Sequence, residues 1–382
     1  MSRPPDIPFN KPSIEGNELL HMKAAVEGGH TACSGPFAQR AAAVIREAVG
    51  AEDVLLTTSC TDALEMTAML LRLGPGDTVV VPSFTFVSTA LAYVREGARI
   101  LFCDIEPDTL GLDPNHLASI MDDSVRAVVT VHYAGVGCDV DGLQKVLEAF
   151  PAAELVEDNA HGLFGQYRDR PLGSFGRFST LSFHETKNFL CGEGGALILN
   201  RQDDVDRAHA LYDKGTNRRA FMLGHVDKYS WVDVGSSFGL SDVLAAYLYG
   251  QLEQRARILA KRRAAFERYE RLLTPYADEY GFALPVVPDD RRQAYHMFYV
   301  LLPDRAARDR VLATMRRAGV QATFHYVPLH SSTAGRRYAA KPTDCPVTDD
   351  VSGRLLRLPF HNLLTDVEAD RVVEAFLCGV RG

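Results

Sequence analysis

Features that would place this chain in a specialised class of protein are missing from its sequence. The 382 residues carry a net charge of -8, so no basic excess favours nucleic-acid binding. No apolar run approaches the ~20 residues that a membrane span needs. Residues 1–5 lack the apolar core of a signal peptide. We therefore expect a cytoplasmic protein that binds neither nucleic acid nor membranes.

The cysteines are few and unsuitably spaced for a metal site or a disulfide framework. There are seven, an odd number, and no two of them form a CxxC pair. We therefore expect reduced thiols and no metal site. The G-x-G-x-x-G and P-loop lysine patterns are also missing, which disfavours a dinucleotide or nucleoside-triphosphate fold.

Short apolar runs and helix-like spans alternate along the first half of the chain. Strands are expected at residues 54–58, 78–81, 99–102, 127–131, 154–157, 180–183 and 196–199, with helices at 63–73, 87–96, 114–121 and 140–150. This alternation is typical of an α/β fold with a mostly parallel sheet between two layers of helices. We predict a large domain over residues 1–250, including an N-terminal arm that packs on a partner subunit or a second domain.

The second half of the chain predicts a smaller α+β domain over residues 251–382. One long helix is expected at residues 241–273, and the domain boundary is placed within it near residue 250. Strands at 297–302 and 321–326 and helices at 305–318 and 366–376 follow.

Side chains that carry chemistry follow several of the expected strands. Ser59, Phe86, Asp158 and Lys187 each come at or just after a strand end, where open α/β sheets bind their ligands. Lys187 lies between an apolar run and the glycine cluster 192–195. A buried lysine loses affinity for protons and becomes usable as a base or a Schiff-base nucleophile. The alternative interpretations are that Lys187 is a surface lysine in a turn and that Asp158 is an acid with a structural role only.

The turn at residues 59–62 joins a strand to a helix through small polar residues. Backbone N–H groups at such a helix start suit a phosphate, although a helix cap without a ligand has the same composition. Lysine, acid, phosphate cup and apolar aromatic face are together what pyridoxal 5′-phosphate (PLP) requires.

Three longer motifs carry a resemblance to a known family. Residues 182–187 with 192–195, residues 157–161 and residues 82–87 resemble the DegT/DnrJ/EryC1/StrS sugar aminotransferases, and the similarity extends from about Phe9 to the C-terminus. Residues 184–188 and 235–237 are most similar to the branch that aminates dTDP-4-keto-6-deoxy-D-glucose. The resemblance implies the fold-type I PLP architecture and a homodimer with active sites shared between subunits.

The same resemblance implies roles for individual residues. Lys187 would be the catalytic lysine that binds PLP covalently, with Asp158 on the ring nitrogen and Phe86 against one ring face. The residues implied to bind the cofactor are Cys60, Thr61, Phe86, Asp158, His161, Ser182, Lys187 and Ser237. Of these, His161 stands where many relatives have glutamine, near the ring hydroxyl. Ser237 stands where many relatives contribute an asparagine from the other subunit.

Further residues are candidates for contact with the substrate. They are Lys214, Arg219, Lys228, His325, Tyr326 and His330, for which a solvated basic loop or ordinary strand packing are the alternatives. The function expected from the resemblance is amination of a dTDP-4-keto-6-deoxyhexose to the dTDP-4-amino-4,6-dideoxyhexose, with L-glutamate as donor. Another keto-sugar or a cyclitol as substrate, or a catalytically silent PLP-fold protein, are the alternatives. The sequence does not distinguish a galacto from a gluco product.

Overall fold

The computed structural model describes residues 6–382 of the chain. Residues 1–5, on which the expectation about a signal peptide rests, lie outside this range. Among the described residues, no helix is both long and apolar enough to cross a bilayer.

A seven-stranded sheet forms the centre of the first half of the molecule. The first nine strands are β1 (Asp53–Thr57), β2 (Thr78–Pro82), β3 (Arg99–Cys103), β4 (Val125–Val131), β5 (Glu154–Asp158), β6 (Gln166–Tyr167), β7 (Arg170–Pro171), β8 (Phe178–Ser182) and β9 (Gly195–Leu199). The central sheet has the order β1-β9-β8-β5-β4-β2-β3. Neighbours from β8 to β3 run parallel, and only β9 runs antiparallel to both of its neighbours. The predicted α/β fold with a mostly parallel sheet is confirmed.

Helices cover both faces of this sheet. The helices of the first half are α1 (Glu18–Glu27), α2 (Pro36–Val49), α3 (Cys60–Leu70), α4 (Ser88–Arg95), α5 (Pro114–Ile120), α6 (Val140–Leu147), α7 (Val205–Tyr212) and α8 (Arg218–Met222). Successive side chains of a strand point to opposite faces, so Val79 and Val81 pack in the core with α3 and α4. Val80 between them packs in the core with α5 and α6. Burial on both faces explains why residues 79–81 of β2 are apolar at consecutive positions.

The predicted single helix at residues 241–273 is wrong. Two helices occupy this stretch, α9 (Asp242–Glu253) and α10 (Arg255–Leu273), and Gln254 between them leaves the helical conformation with φ -96° and ψ 15°. The break lets α9 pack with α1 and α2, while Phe266 and Leu273 of α10 pack in a separate core. Both halves have helical periodicity, so a break of one residue leaves no signal in the pattern.

The second core lies under a three-stranded antiparallel sheet. The remaining elements are α11 (Ala277–Tyr280), β10 (Arg291–Arg292), β11 (Tyr299–Leu301), α12 (Arg305–Arg317), β12 (Thr323–Phe324), α13 (Thr333–Tyr338), α14 (Pro346–Arg354), β13 (Leu355–Arg357) and α15 (Asp366–Arg381). β13 lies between β11 and β12. The domain boundary near residue 250 stays a prediction.

The N-terminal segment packs on this second core. Ile7 is fully buried there, and its backbone pairs with the segment after α12 through bonds to Gly319 and Gln321. Ile7 thus packs on residues of the second half of the same chain, while packing of the arm on a partner subunit stays a prediction. Phe9, which follows, thereby reaches the site described next.

Candidate active site

A cavity of about 460 Å³ opens where the parallel strands end. Its wall takes residues from the carboxyl ends of β4, β5 and β8, since Val131, Asp158 and Ser182 are the last residues of those strands. Nine residues predicted for the site line this cavity: Cys60, Thr61, Phe86, Asp158, His161, Ser182, Lys187, His325 and Tyr326. The shared strand polarity therefore brings distant segments of the chain to one place.

Lys187 lies in the loop between β8 and β9. Its backbone N–H donates to the carbonyl of His184 at 2.9 Å, which closes the turn of residues 184–187 and directs the side chain into the cavity. Burial of the ε-amine lowers the pKa of Lys187 to about 8, against the opposing effects of Cys60 and Asp158. A useful fraction of the amine is therefore neutral, and so nucleophilic, near neutral pH.

Asp158 is a buried carboxylate with a defined set of donors. Its Oδ2 accepts a hydrogen bond from Thr89 Oγ1 at 2.7 Å, and Thr89 in turn contacts the hydroxyl of Thr85 at 2.9 Å. Its Oδ1 accepts from the Ala160 N–H at 3.3 Å. Burial raises the pKa of Asp158, while the Thr89 hydroxyl and the Lys187 ammonium oppose that rise. A cationic N–H placed beside it would favour the ionised form.

The N-terminus of α3 forms another wall of the cavity. Ser59 caps the helix, because its Oγ accepts from the Asp62 N–H at 3.0 Å. The first-turn N–H groups of Cys60 and Thr61 have no carbonyl earlier in the helix to bind, and the helix dipole favours an anion there. A Cβ at Gly195 would lie 2.4 Å from the Cys60 nitrogen, so only glycine lets β9 approach this helix start.

Two histidines stack beside the lysine. The rings of His161 and His296 lie 4.1 Å apart and nearly parallel. Asn188 holds His296 in place through a 2.9 Å hydrogen bond, and its side-chain amide donates to the Ala294 carbonyl at 2.6 Å. Burial lowers the pKa of both imidazoles well below the usual value, so both are neutral. The Nδ1 atom of His161 is buried and has no hydrogen-bond partner among residues 6–382.

These residues fit PLP. Lys187 provides the amine that can react with the aldehyde, and the Asp158 carboxylate can accept a hydrogen bond from a ring N–H. The unpartnered His161 nitrogen suits the ring hydroxyl. Phe86 lines the cavity although 58% of its surface is exposed, which leaves a flat apolar face for a ring. The start of α3 suits the phosphate.

Sequence reasoning missed several residues of the lining. Thr89 lies just after the motif at residues 82–87, but the sequence does not show that its hydroxyl binds Asp158. His296 and Arg357 come from the C-terminal half, and no motif marks them. Phe9 reaches the cavity only because the N-terminal segment crosses to the second core.

Five predicted residues do not line the cavity of this chain. They are Ser237, Lys214, Arg219, Lys228 and His330. Lys214 pairs with Asp213 at 2.9 Å and Arg219 with Asp206 at 3.3 Å. The ring of His330 contacts Ser83 Oγ at 2.7 Å. The prediction for Ser237 concerns the cavity of a partner subunit, so it stays a prediction, as do substrate roles for the loop cations.

Comparisons with known proteins agree with this geometry. The model of the DegT/DnrJ/EryC1/StrS aminotransferase family matches residues 12–377. The spore coat polysaccharide biosynthesis protein SpsC of Bacillus subtilis is 28% identical, over 98% of this chain and 97% of SpsC. The aminotransferase TlmJ of Streptoalloteichus hindustanus is also 28% identical, with a TM-score of 0.89 over 98% of this chain and 99% of TlmJ. The PLP form of sugar aminotransferase Spr1654 from Streptococcus pneumoniae, described as putative, shares the fold at 24% identity, with a TM-score of 0.89 over 98% of both chains.

Proposed function

Since this chain belongs to the DegT/DnrJ/EryC1/StrS aminotransferase family, which is PLP-dependent, we propose that it aminates a nucleotide-linked keto-sugar. The substrate we propose is a dTDP-4-keto-6-deoxyhexose, the amino donor is L-glutamate, and the product is the dTDP-4-amino-4,6-dideoxyhexose. The observation that carries the proposal is the convergence of Lys187 and Asp158 on one cavity, with a lysine pKa of about 8. The amino-acid sequence at residues 184–188 and 235–237 supports the choice of sugar, because it is most similar to the branch that aminates dTDP-4-keto-6-deoxy-D-glucose.

The residues of the cavity divide the chemical work. When bound, PLP supplies an electron sink that stabilises negative charge at a carbon losing its proton. The ε-amine of Lys187 takes the proton from the α-carbon of the amino donor and, in the second half of the reaction, delivers a proton to carbon 4 of the sugar. With PLP bound, the Asp158 carboxylate would keep a proton on the ring nitrogen, and Phe86 and His161 would orient the ring.

A panel of ketone substrates tests the proposal. We expect the holoenzyme, given L-glutamate, to release 2-oxoglutarate with dTDP-4-keto-6-deoxy-D-glucose and to form a product heavier by the expected amine-for-ketone exchange in mass spectrometry. NMR coupling constants of the product then distinguish the galacto from the gluco amine. Turnover only with a different keto-sugar or a cyclitol would replace the substrate we propose. A protein that neither binds PLP covalently nor reacts with glutamate would be catalytically silent.

We also propose that two copies of the chain form a homodimer through the segment at residues 221–234. Large apolar side chains of this segment lie in solvent in the single chain, and Trp231, the one tryptophan of the sequence, is 81% exposed. Contiguous exposed apolar surface of this kind marks an interaction site. Ser237 lies three residues after the segment, so docking on a partner would bring it toward the partner's cavity.

Sedimentation measurements on a charged variant test the homodimer. We expect Trp231→Glu to raise the dimer dissociation constant by about 30-fold or more, the usual cost of removing an interface hot spot. Val367→Glu is the matched control, because Val367 is 70% exposed but lies in α15, away from the segment. A monomeric wild-type protein, or equal effects of both substitutions, would contradict this interface.

A further inference from the structure

Arg357 is a cation that lines the cavity and has no acidic partner within the described part of the chain, residues 6–382. It is the last residue of β13, whose backbone pairs it with Tyr299 and Thr323, and its side chain lines the same cavity as Lys187. Its Nη1 donates to His325 Nε2 at 3.0 Å. Its Nε is closed off from solvent and has no hydrogen-bond partner among residues 6–382.

The buried Arg262 shows how the fold satisfies a guanidinium that is withdrawn from solvent. Arg262 donates to the carbonyls of Tyr295 and His296 at 2.7 and 2.6 Å and to Asn362 Oδ1 at 2.9 Å. Arg357 lacks a comparable set, and the face of the Phe9 ring lies 4.7 Å from its guanidinium carbon. The Nε–H of Arg357 is therefore a closed-off donor without a partner on a cationic group, which costs free energy in the free protein, and a ligand that pairs with the guanidinium can offset that cost on binding.

The surroundings of Arg357 carry little negative charge. Asp158 is the buried carboxylate of the lining, and Thr89 and the Ala160 N–H already bind it. The carboxylate of Glu193, also in the lining, is 69% exposed to solvent. Burial and the nearby guanidinium lower the pKa of His325, which is therefore neutral. Burial also lowers the pKa of Arg357, but a guanidinium stays charged at neutral pH.

We propose that Arg357 binds a carboxylate of the amino donor and of the 2-oxo acid formed from it. This inference rests on the proposed function, which supplies the donor. The planar guanidinium matches a carboxylate, and the hydrogen bonds of such a pair are charge-assisted. His325 fixes the orientation of the guanidinium, since its Nε2 accepts from Arg357 while its Nδ1 contacts the Tyr133 hydroxyl at 3.0 Å.

The position of Arg357 favours the amino donor over the diphosphate of the sugar nucleotide. Lys187 and Arg357 line the same cavity of about 460 Å³, so the anion that binds Arg357 lies in the space where the reacting carbon meets the lysine. The α-carboxylate of glutamate is attached to the very carbon that loses its proton. A diphosphate is separated from the reacting carbonyl by the width of the hexose ring.

Binding measurements on the holoenzyme test this role. Glutarate is the probe, because it has two carboxylates but no amine and cannot react. By titration calorimetry we expect Arg357→Gln to raise the Kd for glutarate by about 10- to 100-fold, the loss of a hydrogen-bonded ion pair, and Arg357→Lys to raise it less. Arg354→Gln is the matched control, because Arg354 lies three residues away and binds Asp350 and the Leu302 carbonyl outside the cavity. We expect that variant to bind glutarate as the wild type does.

Steady-state kinetics separate the two sources of an anion. The KM for L-glutamate should rise in Arg357→Gln while the KM for the sugar nucleotide stays near the wild-type value. An unchanged glutarate Kd with a raised KM for the sugar nucleotide would overturn the inference and leave the aminotransferase proposal intact. Failure of the wild-type holoenzyme to react with glutamate would instead count against the proposed function. If Arg357→Gln does not fold, Arg357→Lys decides, since an unchanged glutarate Kd there together with an unchanged KM for glutamate would overturn the inference.

Discussion

Replacement of Lys187 by alanine should leave a protein that binds PLP without a covalent link and has almost no turnover. The ε-amine is the nucleophile for the cofactor aldehyde and also the group that moves the substrate proton, so one substitution removes both functions. Loss of the proton transfer alone costs about 10²- to 10⁴-fold in rate. The loss of covalent attachment is visible in the absorbance spectrum, and turnover is followed through release of 2-oxoglutarate.

Borohydride trapping and peptide mapping of the wild-type holoenzyme locate the attachment directly. We expect the reduced label on the peptide that contains Lys187 and on no other. Lys145→Ala is the matched control, because Lys145 is exposed on α6 and should keep both the label and the activity. A label on another lysine, or normal turnover by Lys187→Ala, would remove the basis of the proposed function.

Asp158→Asn should lower kcat by about 10²- to 10³-fold, the usual cost of losing one preorganised charge interaction in an active site. The amide keeps the shape of the carboxylate and can still accept a hydrogen bond from Thr89. It no longer carries the negative charge that favours a protonated ring nitrogen, so the electron sink is weakened in both halves of the reaction. Single-turnover measurements of each half-reaction check this expectation.

Two comparisons make the Asp158 result interpretable. Asp141→Asn, at an exposed aspartate that pairs with Arg168 on the surface, should react at the wild-type rate. PLP should remain attached to Lys187 in the Asp158→Asn protein, since the lysine is unchanged. If Asp158→Asn loses PLP but reacts normally once it is resupplied, Asp158 contributes to retention of the cofactor and not to its chemistry.

The fold of the first half could be predicted because its signals are local. Residues 79–81 are three consecutive valines buried on both faces of the sheet, and that burial is visible as an uninterrupted apolar run. The hairpin of β6 and β7 gives no such signal, since each of its strands has two residues. The break between α9 and α10 at Gln254 also gives no sequence signal, because one residue outside the helical conformation does not disturb the helical periodicity of apolar residues on either side.

The candidate site divides in the same way. Asp158 and Lys187 lie at or beyond strand ends, so strand polarity alone predicts that they meet. His296 and Arg357 come from the second half of the chain. Their position in the cavity lining depends on how the segment with β11 and β13 packs against the first half. No periodicity in the sequence encodes that packing. Their contribution to the site therefore had to be seen in three dimensions.

The path of the N-terminal segment has a consequence for biosynthesis. Ile7 and Phe9 leave the ribosome first, yet the surfaces they cover include Val320 and Arg357, which are translated near the end. Lys187 and Asp158 are made midway. A nascent chain can therefore assemble the cofactor-binding half early, while the wall that carries Arg357 closes only when translation is almost complete.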